Sequence, residues 1–474
     1  MTKELHKKSI LELNKGYKKR TFSPLEVIKE IIDNVNKKNK KINAFAYFNE
    51  EDVLKQATES KKRLETSKIK GNLEGIPVSI KDLLVTKDLP TIRGSLTSSL
   101  PKNSDFDAPV VRMLKDQGAI ILGKTTTPEF GHKGTTQSAR FGNTNNPWNI
   151  SLNAGGSSGG SCAAVAAGFG PASIGTDGGG SIRIPASFCG VFGHKPTFGK
   201  IPAYPISPFG TIANVGPITK TVKDAAIIMN CIAHPDEKDW HSLPDDKTDY
   251  CLQDEGLKKK IKIGYSKFWG MEKYFDTNKM EKEVVNKIDE TVYFLSENGL
   301  HIENTELIDW PNNPHKIFIA MWQAGAANLA RKINENDFSN MDSSLINFIE
   351  KGKGYSIYDL MDADAKRAEN ATHMKRVFSK FDILIGPTLP VLPFNTNDNT
   401  PTGFEEDELF SWLPFTYPFN LTKNPASSLN VNFSNSGLPI GMQIVANVYD
   451  DKKCFDLAYI IEKLMQLHTK WPKL

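Results

Sequence analysis

The sequence has 474 residues, of which 24% are charged and 39% hydrophobic, ordinary values for a globular chain. Lys and Arg number 59 against 55 Asp and Glu, and a net charge of +4 over this length does not argue for nucleic acid. The five cysteines (Cys162, Cys189, Cys231, Cys251, Cys454) form no C-x-x-C pair, which argues against zinc, a redox motif or a disulfide framework.

The N-terminal stretch MTKELHKKSILELNKGYKKR has no apolar core of signal-peptide length. No apolar run reaches the roughly 18 residues of a membrane span. The expectation is a cytoplasmic protein without a membrane segment. Ser23, Pro24 and Glu26 open the first clear helix as a capping box with proline at its first position. Leu25, Ile28, Ile31, Ile32 and Val35 then recur at helical spacing. The lysines at 37, 38, 40 and 41 read as its solvated end.

Residues 75–84 (GIPVSIKDLL) begin as a buried strand with Lys81 at its end. Residues 107–118 predict a helix closed by glycine, followed by a strand over 119–122. A helix is expected from Thr221 to about Ile232, with Asp224 in its first turn. The region 235–380 is more charged. It contains a strand-like run at 260–265 (KIKIGY) and an amphipathic helix over 280–298 closed by Gly299. Short apolar runs return at 383–385, 428–433 and 441–445. There is no internal repeat and no low-complexity linker. Strands and helices alternate throughout, which predicts one α/β domain over 1–474. Its parts are an N-terminal helical section (1–70), a core (71–220), a variable insertion (235–380) and a C-terminal return to the sheet (381–474).

The most informative stretch is 153–197, NAGGSSGGSCAAVAAGFGPASIGTDGGGSIRIPASFCGVFGHKPT. A flexible linker is excluded because small residues alternate with apolar ones. Residues 163–167 suit a closely packed helix and 172–176 a short strand, so the glycines fall at element ends. GGSSGGS lacks the G-K-[ST] ending of a phosphate loop, and GTDGGGS does not match G-x-G-x-x-G. Gly155 to Gly159 formally match the G-x-S-x-G nucleophile elbow, which would make Ser157 the nucleophile of an esterase of α/β-hydrolase type. That elbow needs an apolar strand directly before it, and residues 149–154 read as a polar loop.

The third reading joins three motifs. Lys81 in GIPVSIKDL, the GGSSGGS run, and GTDGGGSIRIPASFCGVFGHKPT together resemble the amidase-signature family. Lys81 and Ser157 are 76 residues apart, and Ser157 and Ser181 are 24 apart, as in that family. GLPIGMQIV at 437–445 resembles its late strand. The likeness is strongest over 70–220 and fades over 235–380. Ala154, Cys162 and His194 depart mildly from the common pattern, and none touches the motif serines or Lys81.

The resemblance implies an α/β/α sandwich: a mixed, largely parallel central sheet covered by helices on both faces. It also implies a Ser-Ser-Lys triad, with Ser181 as nucleophile, Ser157 as relay after a cis peptide from Gly156, and Lys81 as base. A lysine serves as base only when neutral, which burial at a strand end favours. Gly178, Gly179 and Gly180 let backbone N–H groups turn toward a developing oxyanion. Ser158, Asp177 and Arg183 are expected to support rather than react. Cys162 and Cys189 read as small buried packers. The loop 234–241 mixes His and Asp, but its composition is that of a surface loop. Trp322, Phe415 and Tyr417 are candidates for an acyl pocket or for the core.

The implied activity is hydrolysis of a carboxylic amide through an acyl-enzyme, with no metal and no cofactor. The partner is a small-molecule amide, without nucleic acid or membrane, and a homodimer is among the assemblies left open. The glutaminase subunit of a tRNA-dependent amidotransferase shares the same triad and is the main alternative. A scaffold without catalysis would need a broken triad, and all three residues are present.

Overall fold

The computed structural model describes residues 4–97, 100, 102–252, 261–305, 307–405 and 408–474. An eleven-stranded sheet runs through it. From one edge to the other its strands are Phe45–Phe48, Ile120–Thr125, Pro77–Lys81, Ala172–Asp177, Asn214–Thr219, Phe192–Lys195, Ala426–Phe433, Pro439–Ala446, Ile383–Pro387, Ile263–Tyr265 and Ile302–Asn304.

The sheet is mixed, as expected. Its parallel pairs form two blocks. Pro77–Lys81 runs parallel to Ile120–Thr125 and to Ala172–Asp177. Ile263–Tyr265 runs parallel to Ile302–Asn304 and to Ile383–Pro387. Between the blocks every pairing is antiparallel. There Asn214–Thr219 lies antiparallel to both of its neighbours, and Ala426–Phe433 and Pro439–Ala446 form a hairpin. The centre therefore holds fewer parallel pairs than the alternation of strands and helices suggests, because hairpin returns replace helical crossovers.

Helices cover both faces, and the pleat shows how. Phe192 and His194 pack against Phe455 of the helix Asp451–Met465. A side chain at Gly193, one residue between them, would point the other way, onto Ile182 and Ala186. The helices Gly159–Ala166 and Arg183–Cys189 lie on that second face, and Val222–Ile232 packs beside Asp451–Met465.

The capping box at Ser23 and Glu26 is present and opens Pro24–Ile42. Lys37, Lys40 and Lys41 are exposed at its end. The same box at Ser9 and Glu12 opens an earlier helix, Ile10–Lys18, which the sequence reading passes over. The expected helices appear as Pro109–Asp116, Val222–Ile232 and Lys282–Glu297. Of the run at 260–265, Lys260 lies outside the described residues, and the strand is Ile263–Tyr265. The region 235–380 thus adds the last two strands at one side of the sheet, with Ile302–Asn304 at its edge. It also adds three helices that pack together, Pro314–Ala330, Ser343–Lys353 and Ile357–Val377.

Candidate active site

Two neighbouring parallel strands deliver the site. Pro77–Lys81 ends on Lys81, and Ala172–Asp177 ends on Asp177. Carboxyl ends of adjacent parallel strands share one sheet edge, where α/β proteins place ligands. The segment before helix Gly159–Ala166 brings Ser157 to this edge, and the turn after Asp177 brings Ser181.

Lys81 is fully buried. Its Nζ lies 2.7 Å from Ser157 Oγ, 2.9 Å from Thr176 Oγ1 and 3.4 Å from Thr176 O. Burial disfavours the ammonium form and lowers the Lys81 pKa to about 7, against an opposing pull from Asp177.

Ser157 follows a cis peptide from Gly156. A Cβ at Gly156 would stand 2.5 Å from the backbone of Thr135, so the approach requires glycine. The segment before it is not the loop expected: Asn149–Asn153 pairs with Asn145–Asn146 in a two-stranded ribbon. Ile150 and Leu152 do alternate with Asn149, Ser151 and Asn153, a period-two pattern that the polar-loop reading passes over. The ribbon is separate from the central sheet, so Ser157 still lacks the sheet strand of a nucleophile elbow. Ser158 Oγ donates to Thr176 O at 3.0 Å, and the Ser158 N–H donates to Ser181 O at 3.0 Å. These bonds tie the two serine-bearing segments together.

Ser181 lines a cavity of about 380 Å³ together with Ser157, Thr176 and Gly178. The turn before it is held by the side chain of Asp177. Asp177 Oδ1 accepts the Gly180 N–H at 2.7 Å, and Oδ2 accepts the Ile182 N–H at 3.1 Å. The three glycines are therefore not equivalent, because the Gly180 N–H is already occupied. Thr416 Oγ1 donates to Gly179 O at 2.7 Å and fixes that peptide from the other side.

Asp177 and Arg183 form a fully buried pair with two contacts of 3.0 Å, Nε to Oδ2 and Nη2 to Oδ1. Arg183 also donates to Thr416 O, Gln443 Oε1 and Asn420 Oδ1. Burial alone would raise the Asp177 pKa; Arg183 and the Asn420 amide outweigh it and hold the carboxyl well below its usual range. Thr176, Thr416, Asn420 and Gln443 are the site residues that sequence reasoning missed. Thr416, Asn420 and Gln443 belong to no motif, and Thr176 lies inside GTDGGGS without having been singled out. The one available hint was Gln443, a lone polar residue inside the otherwise apolar strand Pro439–Ala446.

Trp322 lines the cavity with Phe209, which it faces at 3.8 Å and 8°. Phe415 and Tyr417 are instead buried in the core. The loop 234–241 forms part of the cavity wall. Within it the buried Asp239 accepts the N–H groups of Ala203 and His241. His194 bonds to Ser427 and Asp451 and ties the sheet to the C-terminal helix.

The fold is that of an α/β protein with a cavity at the carboxyl ends of two parallel strands, and comparison with known proteins gives its class. The amidase family model matches residues 26–455. An acylamidase of Rhodococcus erythropolis is 34% identical over 448 residues, covering 93% of this chain and 92% of the relative. A glutamyl-tRNA(Gln) amidotransferase subunit of Alkaliphilus metalliredigens is 31% identical over 498 residues, covering 99% of each. Among solved structures, a bacterial aryl acylamidase of the amidase signature family superposes with a TM-score of 0.88 at 28% identity, covering 98% of both chains. The chain belongs to the amidase signature family. It is an amidase, a hydrolase acting on amide C–N bonds. Among the described residues no helix is long and apolar enough to cross a membrane.

Proposed function

We propose that the protein hydrolyses a small carboxylic amide through a Lys81–Ser157–Ser181 relay and a covalent acyl-enzyme. The observation that carries this reading is the 2.7 Å contact between Lys81 Nζ and Ser157 Oγ, beside the cavity that Ser181 lines.

A neutral amine has two N–H donors and one lone pair. With the N–H groups directed at Thr176 Oγ1 and Thr176 O, the lone pair is left for the Ser157 hydroxyl proton. As Lys81 takes that proton, Ser157 Oγ takes the proton of Ser181. Ser181 Oγ bonds to the carbonyl carbon, and the carbonyl π electrons move onto oxygen. With the Gly180 N–H engaged by Asp177, the donors for this oxyanion are the N–H groups of Gly178, Gly179 and Ser181. Collapse breaks the C–N bond, and the proton returns through Ser157 to the departing nitrogen. Water, deprotonated along the same path, then cleaves the ester. No cofactor and no nucleic acid enter these steps. The free thiols at all five cysteines support a reducing, cytoplasmic setting.

Ser181→Ala removes the nucleophile. Turnover and trapping of an acyl-enzyme by mass spectrometry are both expected to vanish while the circular dichroism spectrum stays unchanged. A Ser181→Ala protein with full activity would refute the mechanism. The near full-length likeness to amidotransferase subunits keeps one second reading in view. Ammonia released from glutamine only in the presence of partner subunits would favour it.

A further inference from the structure

We infer that the cavity selects amides bearing an uncharged, apolar group and rejects free glutamine, with Phe209, Trp322 and Ile206 setting the choice. The inference rests on the amide-hydrolase reading above and concerns what that site admits.

The cavity's volume of about 380 Å³ falls within the range of small-molecule sites, roughly 300–1,000 Å³. Its wall is mostly hydrocarbon. Trp322 is the central element. Its ring is buried, donates Nε1–H to His132 O at 3.2 Å and stacks on Phe209. Phe318 stacks on it at 5.2 Å, and Tyr417 stacks on Phe318 at 4.9 Å. This row of rings lies directly on the nucleophile turn, since Cβ atoms at Gly178 and Gly179 would stand 2.8 Å from Trp322 and 2.6 Å from Phe318. One indole thus touches the turn that carries Ser181 and also walls the cavity. Toward the outside, Ile206 lines the cavity and is 47% exposed.

Glutamine brings an α-ammonium and an α-carboxylate, and each needs a partner of opposite charge when taken out of water. The only carboxylate among the described lining residues is Asp239, and its oxygens already accept two backbone N–H groups, at 2.8 and 2.9 Å. The cationic side chains on the wall are Arg93, which donates to Thr91 O, and the exposed Lys332. His241 lies beside Asp239 at 3.6 Å. The α-ammonium would lose its hydration against a carboxylate that is already engaged. An alkyl or aryl group would instead meet Phe209, Trp322 and Ile206.

The test reads the pocket apart from the chemistry. Straight-chain primary amides from propanamide to octanamide, and glutamine, are titrated by calorimetry into the Ser181→Ala protein. The Kd is expected to fall about three- to fourfold per added methylene until the cavity is full. Glutamine is expected to show no binding at concentrations where hexanamide saturates. Ile206→Asp should weaken octanamide at least tenfold without moving the thermal unfolding midpoint. A flat series, or glutamine binding as tightly as hexanamide, overturns the inference. Wild-type turnover that survives Ser181→Ala would instead overturn the mechanism and leave these affinities readable.

Discussion

Lys81 Nζ stands 2.7 Å from Ser157 Oγ, although 76 residues separate them in the chain. The contact exists because a strand end and a glycine-lined turn meet at one sheet edge. Its chemistry depends on the amine being neutral. Burial brings the Lys81 pKa down to about 7, so the amine loses its proton as the pH rises through that value. The active form is the deprotonated one, so kcat/KM should climb with pH along a limb centred near 7 and level off above it. A pH–rate profile with a competent amide measures this. A limb centred near 10, where an exposed lysine titrates, would remove Lys81 as the base.

Arg183 is the sole cation bonded to Asp177 among the described residues, and both are fully buried. Arg183→Met would leave a buried carboxylate uncompensated, which costs about 3–5 kcal/mol. It would also release the anchor that positions the Gly180 and Ile182 N–H groups. Urea unfolding should show the loss of stability, and activity should fall at urea-free conditions where the variant remains folded. An unchanged unfolding midpoint would mean that the pair contributes little.

The parts of this site legible in the sequence are those that are local. Lys81, Ser157 and Ser181 sit in short motifs whose glycines mark turns, and the neighbouring strands show as apolar runs. The supporting shell is not local. Thr416, Asn420 and Gln443 reach Arg183 and the glycine turn across more than 230 positions. Thr416 and Asn420 are ordinary polar residues in their own segments, so periodicity carries no sign of them, and Gln443 stands out only as the one polar residue of an apolar strand. Gly180 shows the same limit: GTDGGGS presents three similar glycines, and it is the folded Asp177 side chain that takes up the Gly180 N–H. The helix Ile10–Lys18 is a different case, since its Ser9–Glu12 box was readable from the same rule that found Pro24–Ile42.

Thr416→Val tests that shell at small steric cost. The Thr416 hydroxyl donates to Gly179 O at 2.7 Å, so its removal frees one face of the peptide that follows Gly179. The stability loss should be modest, about 1 kcal/mol for one hydrogen bond. The kinetic loss should be larger and fall on kcat with KM little changed, because that peptide lies between Gly179 and Ser181 and sets the direction of the N–H groups proposed to meet the oxyanion. Steady-state kinetics at saturating amide separates these outcomes. A rise in KM with kcat intact would place Thr416 in substrate binding.

Asp224 and Glu462 make a prediction unrelated to catalysis. Asp224 Oδ1 accepts the Ile10 N–H at 2.9 Å, and Glu462 Oε1 accepts the Val222 N–H at 2.9 Å. The pair joins the N-terminal helix, Val222–Ile232 and the C-terminal helix. Burial raises the Asp224 pKa to about 7 and the Glu462 pKa to about 8. Both folded values lie above the unfolded ones, near 4, so the native state holds protons that the unfolded chain releases. The stability they contribute is therefore complete below about pH 4 and declines as the pH rises toward 7–8. An Asp224→Asn, Glu462→Gln double variant keeps both acceptor oxygens and removes the titration. Its urea midpoint should match that of the wild type at the acid end of the range, where both acids are neutral. It should exceed the wild-type midpoint at pH 8, by a margin that grows across the interval. A constant difference at every pH would show that the two acids do not titrate in the folded protein over this range.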